Sequence, residues 1–411
     1  MTTNVENEML TRVGRGTPAG ELLRRYWHPV AMAAELSEES PTKAVTLLGE
    51  KLVVFRLPPA SGESQPRYGL MEEQCAHRLA SLAYGTVDSD GIRCPYHGWK
   101  YDLAGNCIEQ PAEPPESNYK SEIHLSAYPV QKFAGLLWAY MGPLPAPLLP
   151  RWDVLAREDG VRSVSVQTDL DCNWLQAMEN SVDPAHFYFL HGVTFKSART
   201  YMEVDKYRES SEFIRFEYGI MKRRITPAKS PGERATVDEH PLVFPNTLRN
   251  VFEVHDSDIK NTPEGRTALH DVQIRVPIDD VRTRVYWVRF IPSSAHRSSP
   301  DQDHPYDQFA HKDANGRYNF DLILAQDSMA WETQGAIADR SREHLAASDR
   351  GIIMLRKLLK EQIEIVRKGG DPMGVVRDPA KNKIIVFDVI NERIGVFRSE
   401  KQSPELSSEV S

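Results

Sequence analysis

Two short segments, each with one cysteine and one histidine, place the strongest constraint on what this chain can fold into. The first is Cys75-Ala76-His77 and the second is Cys94-Pro95-Tyr96-His97, with sixteen residues between them. Thiolates and imidazoles are metal ligands, so the two pairs indicate two loops that close around one metal centre. Gly98 follows the second pair and permits close approach of the backbone, and Trp99 can shield the centre from water.

The spacing C-x-H…C-x-x-H is typical of a Rieske [2Fe–2S] cluster, in which two cysteines bind one iron and two histidines bind the other. A structural zinc site is the alternative, because a Cys₂His₂ set also suits tetrahedral Zn²⁺. Zinc sites more often pair like residues in each half, whereas each loop here has one cysteine and one histidine. We therefore predict a [2Fe–2S] cluster bound by Cys75, His77, Cys94 and His97.

Composition and charge exclude several other classes of protein. A net charge of −8 without a basic block argues against nucleic acid as a partner. Cys107 and Cys172 lie far apart and need not be bridged, which fits a reducing compartment. The chain has neither an apolar leader nor a run of eighteen apolar residues, so we expect a cytoplasmic protein that does not bind membranes. No G-x-G-x-x-G follows a strand, so we expect no nicotinamide or flavin site within the chain.

The chain changes texture at a proline-rich stretch, residues 143–150, which predicts a domain boundary. Before it, short apolar runs between Gly, Pro and Asn turns predict an all-β domain with the cluster on loop tips. After it, we predict helices over Asn173–Val182 and Gly351–Lys368, with strands at 212–225 and 268–291.

These patterns predict an α+β protein of at least two domains. A helix is predicted at Glu21–Tyr26. We expect the N-terminal segment that contains it to pack on the second domain or on a neighbouring subunit. The predicted units are an N-terminal helical segment, an all-β cluster domain, a larger mixed domain and a C-terminal tail, at residues 1–44, 45–145, 151–370 and 371–411.

The second domain contains two histidines, His186 and His191, five residues apart. On a regular helix such positions are roughly 140° apart, so they can share a metal only if the helix ends, kinks or bulges between them. Pro184 can begin a new helical turn with Asp183 as its cap, and Gly192 can end it after His191. The sequence thus offers a way to bring both imidazoles to one metal.

Two histidines and one carboxylate form the facial triad of non-haem Fe(II) oxygenases, which leaves open positions on the iron. We predict Asp327 as the carboxylate, because it lies in a helix-compatible stretch in the C-terminal part of the chain. Asp321 and Glu332 are the alternatives.

Asp183 lies three residues before His186, too close in the chain to be the opposing ligand. A carboxylate there can accept the N–H of a ligand histidine and fix its tautomer. We predict that Asp183 bridges the mononuclear iron site and a cluster histidine of a neighbouring subunit. The alternative is that Asp183 only caps the turn before Pro184.

The stretch 214–224 predicts a strand whose apolar face continues onto Lys222 and Arg224. Cations at the end of a buried face could bind a substrate carboxylate, and arginine offers a two-pronged grip. A bulge would transfer this role to Arg223, and Arg249 is a weaker candidate. Equally, the basic cluster could be a solvated strand end or a docking patch for an acidic partner.

Together these motifs resemble those of the catalytic α-subunit of Rieske non-haem iron aromatic oxygenases. The motifs are Cys75-x-His77, Cys94-x-x-His97-Gly98-Trp99 and Asn180-x-x-Asp183-x-x-His186-x₄-His191. Segments 11–18, 27–29 and 337–345 are similar to the phthalate dioxygenase-like branch, which includes aryl-ether oxygenases and O-demethylases. Ala76 is a departure, since the family often has proline or serine there, but its side chain is not a ligand.

The resemblance implies an N-terminal Rieske domain and a C-terminal catalytic domain with a curved antiparallel sheet flanked by helices. It implies a mononuclear Fe(II) that activates O₂ beside a small aromatic substrate, and a separate NAD(P)H-dependent reductase of the flavin and iron–sulfur type. It also implies a homotrimer or a dimer of trimers, in which the cluster of one subunit supplies electrons to the iron of the next.

Three functional classes follow from these features. The first is an oxygenase acting on an aromatic acid or aryl ether, by dihydroxylation or oxidative O-dealkylation. The second is a Rieske electron-transfer protein without oxygenase activity, and the third is a zinc-stabilised binding protein. The length of the chain and the 180–191 segment favour the oxygenase. Within that class a methoxyaromatic O-demethylase comes before a phthalate-type dioxygenase.

Overall fold

The computed structural model describes residues 2–194, 203–228, 230–254, 267–392 and 396. In this part of the chain the strands form four sheets. The strands are β1 (Trp27–Met32), β2 (Thr42–Leu47), β3 (Glu50–Leu57), β4 (Arg67–Glu72), β5 (Thr86–Val87), β6 (Ile92–Arg93), β7 (Lys100–Tyr101), β8 (Cys107–Glu109), β9 (Ala127–Tyr128), β10 (Val130–Phe133), β11 (Leu136–Tyr140), β12 (Gly160–Gln167), β13 (Ser210–Phe216), β14 (Gly219–Thr226), β15 (Thr236–Val243), β16 (Thr247–Val254), β17 (Thr267–Pro277), β18 (Thr283–Pro292) and β19 (Tyr306–Phe309).

The helices contribute less of the chain and lie mainly around the largest sheet. They are α1 (Asn4–Thr11), α2 (Pro18–Leu23), α3 (Asp153–Ala156), α4 (Trp174–Ser181), α5 (Ile323–Glu332) and α6 (Arg350–Arg367), with a π-helical segment at Phe187–Thr194. The longest, α6, is amphipathic, and its apolar side chains pack into the main core. Across the described ranges, no helix is both long and apolar enough to pass through a membrane.

Two four-stranded sheets, β2-β3-β4-β9 and β5-β6-β7-β8, form the small domain that holds the four cluster residues. Side chains from both sheets meet in one apolar core, which includes Phe55 of β3, Ile92 of β6 and Tyr101 of β7. The loops after β4 and β6 project from this core and contain the cysteine–histidine pairs. The prediction of an all-β N-terminal domain is confirmed.

The N-terminal segment differs from its predicted bounds. The expected helix at Glu21–Tyr26 begins earlier, at Pro18, because the Thr17 side chain caps it and Pro18 suits its first turn. Strand β1 pairs with β11, so residues 27–32 belong to a sheet with the end of the small domain, and the boundary at residue 44 is wrong. The two N-terminal helices do pack on α6, as expected of a segment that contacts the second domain.

The second domain is built on an eight-stranded sheet in the order β13-β14-β15-β16-β17-β18-β12-β19. All its pairs are antiparallel except β12 with β19 at the edge. The two long strands predicted at 212–225 and 268–291 are hairpins, with turns around Tyr218 and Val281. Gly219, which follows the first turn, has no room for a side chain, because a Cβ there would meet the Leu242 carbonyl oxygen of the neighbouring β15 at 2.0 Å. Alternation alone does not locate such turns, because polar and apolar residues keep alternating across them.

Residues 371–392, at the start of the predicted C-terminal tail, pack against the rest of the second domain. Val376 forms a bridge with Leu148, and Ile385 forms one with Trp152. Val376, Ile385 and Phe387 are buried in the main core. These residues therefore complete the second domain, while 397–411 lie outside the described residues.

Candidate metal centres

The two cluster loops have the same backbone arrangement. In each, the residue four positions after the cysteine has a positive φ, 62° at Leu79 and 76° at Gly98. Glycine tolerates this conformation at Gly98 without strain. The four hydrogen bonds that close the loops are Leu79 N–Cys75 O, Gly98 N–Cys94 O, Cys75 N–Ala80 O and Cys94 N–Trp99 O, at 2.9, 3.1, 2.9 and 2.8 Å.

This arrangement orients the four predicted ligands toward one point. Cys75 and Cys94 are buried, whereas the His77 and His97 rings lie toward the surface with their centroids 4.5 Å apart. The Trp99 ring stacks on His77 at 4.6 Å, so the aromatic covers one side of the histidine pair. Two buried cysteines beneath two accessible imidazoles fit the ligand set of a cluster in which two cysteines would hold one iron and two histidines the other.

A hydrogen bond from the small-domain core also reaches the sulfur ligands. The Tyr101 hydroxyl lies 3.2 Å from the Cys75 sulfur. Burial raises the pKa of this tyrosine well above its ordinary value, so the hydroxyl keeps its proton. Hydrogen bonds to cluster sulfurs are one of the features that set the reduction potential. Tyr101 was not predicted from sequence, because one tyrosine in a short strand carries no distinguishing pattern.

The mononuclear site is formed where α4 ends and a π-helical segment follows. His186 lies just before this segment and His191 within it. A π-helix is closed by hydrogen bonds between residues i and i+5, so residues five apart lie one turn apart on the same side. This bulge brings the two imidazoles together, with ring centroids 5.4 Å apart. The predicted stop at Gly192 is wrong, because the π-helical segment continues to Thr194.

The third residue of the group is Asp327 of α5. One donor atom from each of His186, His191 and Asp327 lies within 4.8 Å of the others. The Nε2 atoms of His186 and His191 lie 3.8 and 3.3 Å from Asp327 Oδ1. Two imidazoles and one carboxylate on one side of a metal fit the facial triad of a non-haem Fe(II) site.

The alternatives to Asp327 have other surroundings. Asp321 is exposed and precedes α5. Glu332 contacts His311 at 3.1 Å and accepts a hydrogen bond from Tyr318 at 2.6 Å. These contacts anchor the end of the helix that carries Asp327.

Both ligand histidines have their Nδ1 atoms held, which directs Nε2 to the metal position. His191 Nδ1 lies 2.7 Å from Gln326 Oε1, and His186 Nδ1 hydrogen-bonds the main-chain carbonyl of Asp183. Asn180 approaches the other side of the group, because its Nδ2 lies 3.3 Å from both His186 Nε2 and Asp327 Oδ1. Such partners fix the tautomer of a ligand histidine.

The charges of the group also suit a metal. Burial lowers the pKa of His186 to about 4, which keeps the ring neutral. Burial alone would raise the pKa of Asp327, but hydrogen bonding to His191 and the charges of His191, His186 and Arg275 lower it overall. A neutral imidazole and an ionised carboxylate are the forms that bind metals.

Asp183 contacts His186 through a different group from the one predicted. Its main-chain carbonyl, rather than its carboxylate, accepts from His186 Nδ1. Its carboxylate oxygen accepts from the backbone N–H groups of Ala185 and His186, at 2.9 and 3.4 Å, as in a helix cap. The capping role is present, and the bridging role stays a prediction.

The basic candidates on β14 divide between the two faces of the sheet. Arg224 shares a face with Lys222, but Asp238 binds it with contacts at 3.1 Å and 3.2 Å to Nε. Arg223 lies on the opposite face, bound to Glu239 and Glu212 at 2.9 and 3.0 Å. No bulge interrupts β14, so the proposed transfer to Arg223 is wrong.

Arg249 also lies on the face away from the metal group, because it is paired across strands with Val272 of the main core. Its guanidinium binds Asp153 at 3.1 Å. The substrate role suggested for Arg249 is therefore wrong. The alternative of a solvated strand end is wrong for Lys222 and Arg224 too, because both are buried.

Lys222 remains a candidate for binding a substrate carboxylate, and Arg275, which was not predicted, is a second candidate. Lys222 pairs with His240, His240 bonds Asn250, and Asn250 pairs with Asp271, which places this row on one face. Arg275 lies on the same face, four residues after Asp271 on β17. The polar residues at 271, 273 and 275 alternate with apolar ones, and this pattern indicates a strand with one solvated face. In the structure the polar face instead lies beneath the iron ligands, so Arg275 could not be predicted from the pattern.

Two protein-family models match the chain. A Rieske [2Fe-2S] domain matches residues 26–133. A vanillate O-demethylase oxygenase C-terminal domain matches residues 170–364. The first range contains all four cluster residues, and the second contains His186, His191 and Asp327.

Curated proteins and a solved structure are similar over most of the chain. The 5,5'-dehydrodivanillate O-demethylase oxygenase subunit of Sphingobium sp. is 38% identical and covers 94% of this chain and 86% of its own. The phthalate 4,5-dioxygenase oxygenase subunit of Pseudomonas putida is 31% identical, covering 95% and 92%. A dicamba monooxygenase structure shares the fold at a TM-score of 0.62 and 17% identity, covering 84% and 99%.

Proposed function

Because the chain belongs to the α-subunit family of Rieske aromatic oxygenases, in the branch of vanillate O-demethylase and phthalate dioxygenase, we propose that it O-demethylates a methoxy-substituted aromatic acid. The family acts on aromatic substrates and receives its electrons from a separate reductase. The proposal concerns the substrate class and the bond that is broken.

Two buried cations on the sheet face beneath the iron ligands carry the proposal of an acid. Lys222 and Arg275 are 7% and 2% exposed, and neither has a carboxylate within salt-bridge distance among the residues that the structure describes. Within the described ranges, the guanidinium of Arg275 hydrogen-bonds only to the main-chain and side-chain oxygens of Gln273, both at 3.0 Å. A buried charge is costly unless it is paired. A substrate carboxylate would supply the missing partner.

The surroundings of the two cations support binding of an anion beside the iron. Burial lowers the pKa of Arg275 to about 10, and the nearby charges of Asp327 and Asp271 oppose this. Burial and the charge of Arg224 lower the pKa of Lys222 to about 8, opposed by Asp183 and Asp238. Arg275 is therefore close to the iron ligand Asp327, and Lys222 is close to Asp183 next to the iron site. A bound anion would stabilise the charged forms of both cations.

Each group has a defined task in this proposal. Bound iron would bind and activate O₂ next to the substrate. His186, His191 and Asp327 would hold the iron. Lys222 and Arg275 would bind the carboxylate and fix the orientation of the ring. The overall reaction converts the methoxyarene, O₂, two electrons and two protons into the phenol, formaldehyde and water.

The route of the electrons is a further part of the proposal. A reductase of the flavin and iron–sulfur type would oxidise NAD(P)H and reduce the cluster bound by Cys75, His77, Cys94 and His97. The accessible edge of His77 and the position of Asp183 before His186 support transfer between two subunits of a trimer or a dimer of trimers. In this arrangement Asp183 would bridge the two centres.

Dihydroxylation of a phthalate-type acid is the second candidate, favoured by the same two cations, since either acid would satisfy them. The 38% identity to an O-demethylase, against 31% to a phthalate dioxygenase, supports the first. An electron-transfer protein without oxygenase activity does not need the His186–His191–Asp327 group.

The test uses the purified protein with NADH, a compatible reductase and a panel of methoxybenzoates and phthalates. We expect formaldehyde and a product lighter by one CH₂ from a methoxybenzoate, and no turnover of its neutral amide. Asp327→Ala should abolish the product. Ring products that gain two oxygens and two hydrogens would replace this proposal with dihydroxylation.

A further inference from the structure

A buried amide connects one iron ligand to the loop before α5. Gln326 Oε1 lies 2.7 Å from His191 Nδ1, and Gln326 Nε2 donates to the Phe320 carbonyl at 2.6 Å. Gln326 and His191 are 4% and 3% exposed, so water does not compete strongly for these contacts. Gln326 directly precedes the ligand Asp327, so one helical turn supplies both a ligand and a contact to another ligand.

We propose that Gln326 is a positioning residue that holds a proton on His191 Nδ1 and so turns Nε2 to the metal position before iron arrives. The bond to Gln326 Oε1 requires this proton, because an amide oxygen can only accept. Nε2 lies 3.3 Å from Asp327 Oδ1, and a proton held between these two atoms is released when a metal binds. This role goes beyond the proposed function, because it concerns the iron site and does not depend on which substrate is used.

The amide is itself held in the orientation that this role needs. Its NH₂ group donates to the Phe320 carbonyl, so its oxygen must face His191. Rotation of the amide would place its NH₂ group against the imidazole and its oxygen against the Phe320 carbonyl, losing both hydrogen bonds.

The two ligand histidines differ in how they are held. His186 Nδ1 is bound by a main-chain carbonyl, which follows from the backbone and persists in any side-chain variant. His191 Nδ1 is bound by a side chain, so substitution at Gln326 removes its acceptor without changing a metal ligand. Loss of such a partner typically weakens metal binding 10- to 100-fold.

The experiment compares Gln326→Leu with Gln167→Leu as a matched control. Gln167 is another buried glutamine that hydrogen-bonds α5, through Ser328 Oγ at 2.7 Å, without contacting a ligand histidine. Mononuclear iron is removed by a chelator, the absorbance of the oxidised cluster shows that it is intact, and Co²⁺ binding is followed by its electron paramagnetic resonance. Both variants lose one buried hydrogen-bonding side chain, but only one alters His191.

We expect the Co²⁺ dissociation constant to rise roughly 10- to 100-fold in Gln326→Leu and to stay within about threefold of wild type in Gln167→Leu. Gln326→Glu, which keeps an acceptor for Nδ1–H, should recover most of the lost affinity. Wild-type affinity in Gln326→Leu, or an equal loss in both leucine variants, would overturn the proposal.

A second measurement does not depend on whether a Gln326 variant folds. Nitrogen-15 spectra of the metal-depleted wild-type protein, with labelled histidine, report which ring nitrogen of His191 carries the proton. The signal of His191 is assigned as the one missing in His191→Gln. We expect a proton on Nδ1, and a neutral ring with its proton on Nε2 alone would refute the role of Gln326.

Discussion

At the scale of single residues, the least expected feature is a pair of buried cations that have no carboxylate within salt-bridge distance among the described residues. Lys222 is 7% exposed and Arg275 2%, while the neighbouring Arg224 is bound by Asp238. Charges are buried in proteins when something compensates them. Arg224 is therefore part of a structural ion pair, whereas Lys222 and Arg275 are available to bind a ligand.

The first prediction concerns these cations. Arg275→Gln and Lys222→Met should each raise the KM for a carboxylate substrate roughly 10- to 100-fold, because a hydrogen bond to a charged group contributes about 1.5–3 kcal/mol. The measurement is steady-state turnover with the reductase in excess. Arg223→Gln, on the opposite face of β14, is the control and should leave KM unchanged. Equal KM values in all three variants would exclude carboxylate binding by this face.

The second prediction concerns pH. Burial and Arg224 lower the pKa of Lys222 to about 8, so the side chain is charged below this pH and loses its charge as the pH rises through it. The dissociation constant of a carboxylate substrate should therefore rise roughly fivefold between pH 8 and pH 9. Substrate binding to wild type and Lys222→Met is compared across this range. The same profile in both proteins would show that another group titrates.

At the scale of elements, the π-helical segment explains why two histidines five residues apart share a metal. The sequence required a kink, a bulge or a helix end between His186 and His191, and a π-helical bulge is what the structure contains. Its length was not predictable, because Gly192 suggested a stop that tertiary contacts override. Asp327 was predicted from its helix-compatible stretch in the C-terminal part of the chain, and the structure places it, rather than Asp321 or Glu332, beside the two histidines.

The element that leads to this segment, α4, is anchored by buried ion pairs. Glu179 binds Arg340 at 2.7 Å and Arg356 at 2.6 Å. Burial would raise the pKa of Glu179, but the two arginines lower it overall, so it stays ionised. These pairs join α4 to α6 and to the chain after α5, and they hold Asn180 beside the iron ligands.

We therefore predict that Arg340→Met destabilises the protein by about 3 kcal/mol, the lower end for a broken buried pair, because Arg356 still compensates Glu179. Arg342→Met removes an exposed arginine of the same segment and should change stability by less than about 0.5 kcal/mol. Urea unfolding of both variants measures this. Similar midpoints for the two would show that the buried pairs contribute little.

The sequence predicts too few strands in the second domain. Alternation of polar and apolar residues continues through the turns within 212–225 and 268–291, so it predicts one strand where the structure has two. Burial of polar residues at 271, 273 and 275 was equally invisible, because a row that faces a buried site has the same pattern as one that faces water. Sequence periodicity specifies which residues share a face, but not what that face contacts.

At the scale of the whole molecule, the proposed reaction requires electrons to pass from a cluster domain to a separate catalytic domain. The domain types, the cluster ligands and the α+β class were predictable, because short motifs and strand texture are local features. The contribution of β1 to a sheet with residues 130–140, and the return of residues 371–392 to the core, were not. Both depend on pairing between segments distant in the chain.

A prediction at this scale separates the two roles of Asp183. Asn also caps helical turns, so Asp183→Asn should keep the local fold and the mononuclear iron. It should nevertheless slow reoxidation of the reduced cluster in a single turnover with O₂ and substrate, because the proposed bridge loses its charge. The cluster is followed by its visible absorbance. Normal reoxidation in Asp183→Asn, with iron loss in Asp183→Ala, would leave capping as its role.

Iron and sulfide contents test directly whether one chain holds two separate iron centres with the ligands named above. Iron and acid-labile sulfide are measured in wild type, His191→Ala and Cys94→Ala. Wild type should contain about three iron and two sulfide per chain, two irons in the cluster and one mononuclear. His191→Ala should lose one iron and keep the sulfide, whereas Cys94→Ala should lose the sulfide. Zinc in place of iron, or an unchanged iron content in His191→Ala, would contradict two iron centres with these ligands.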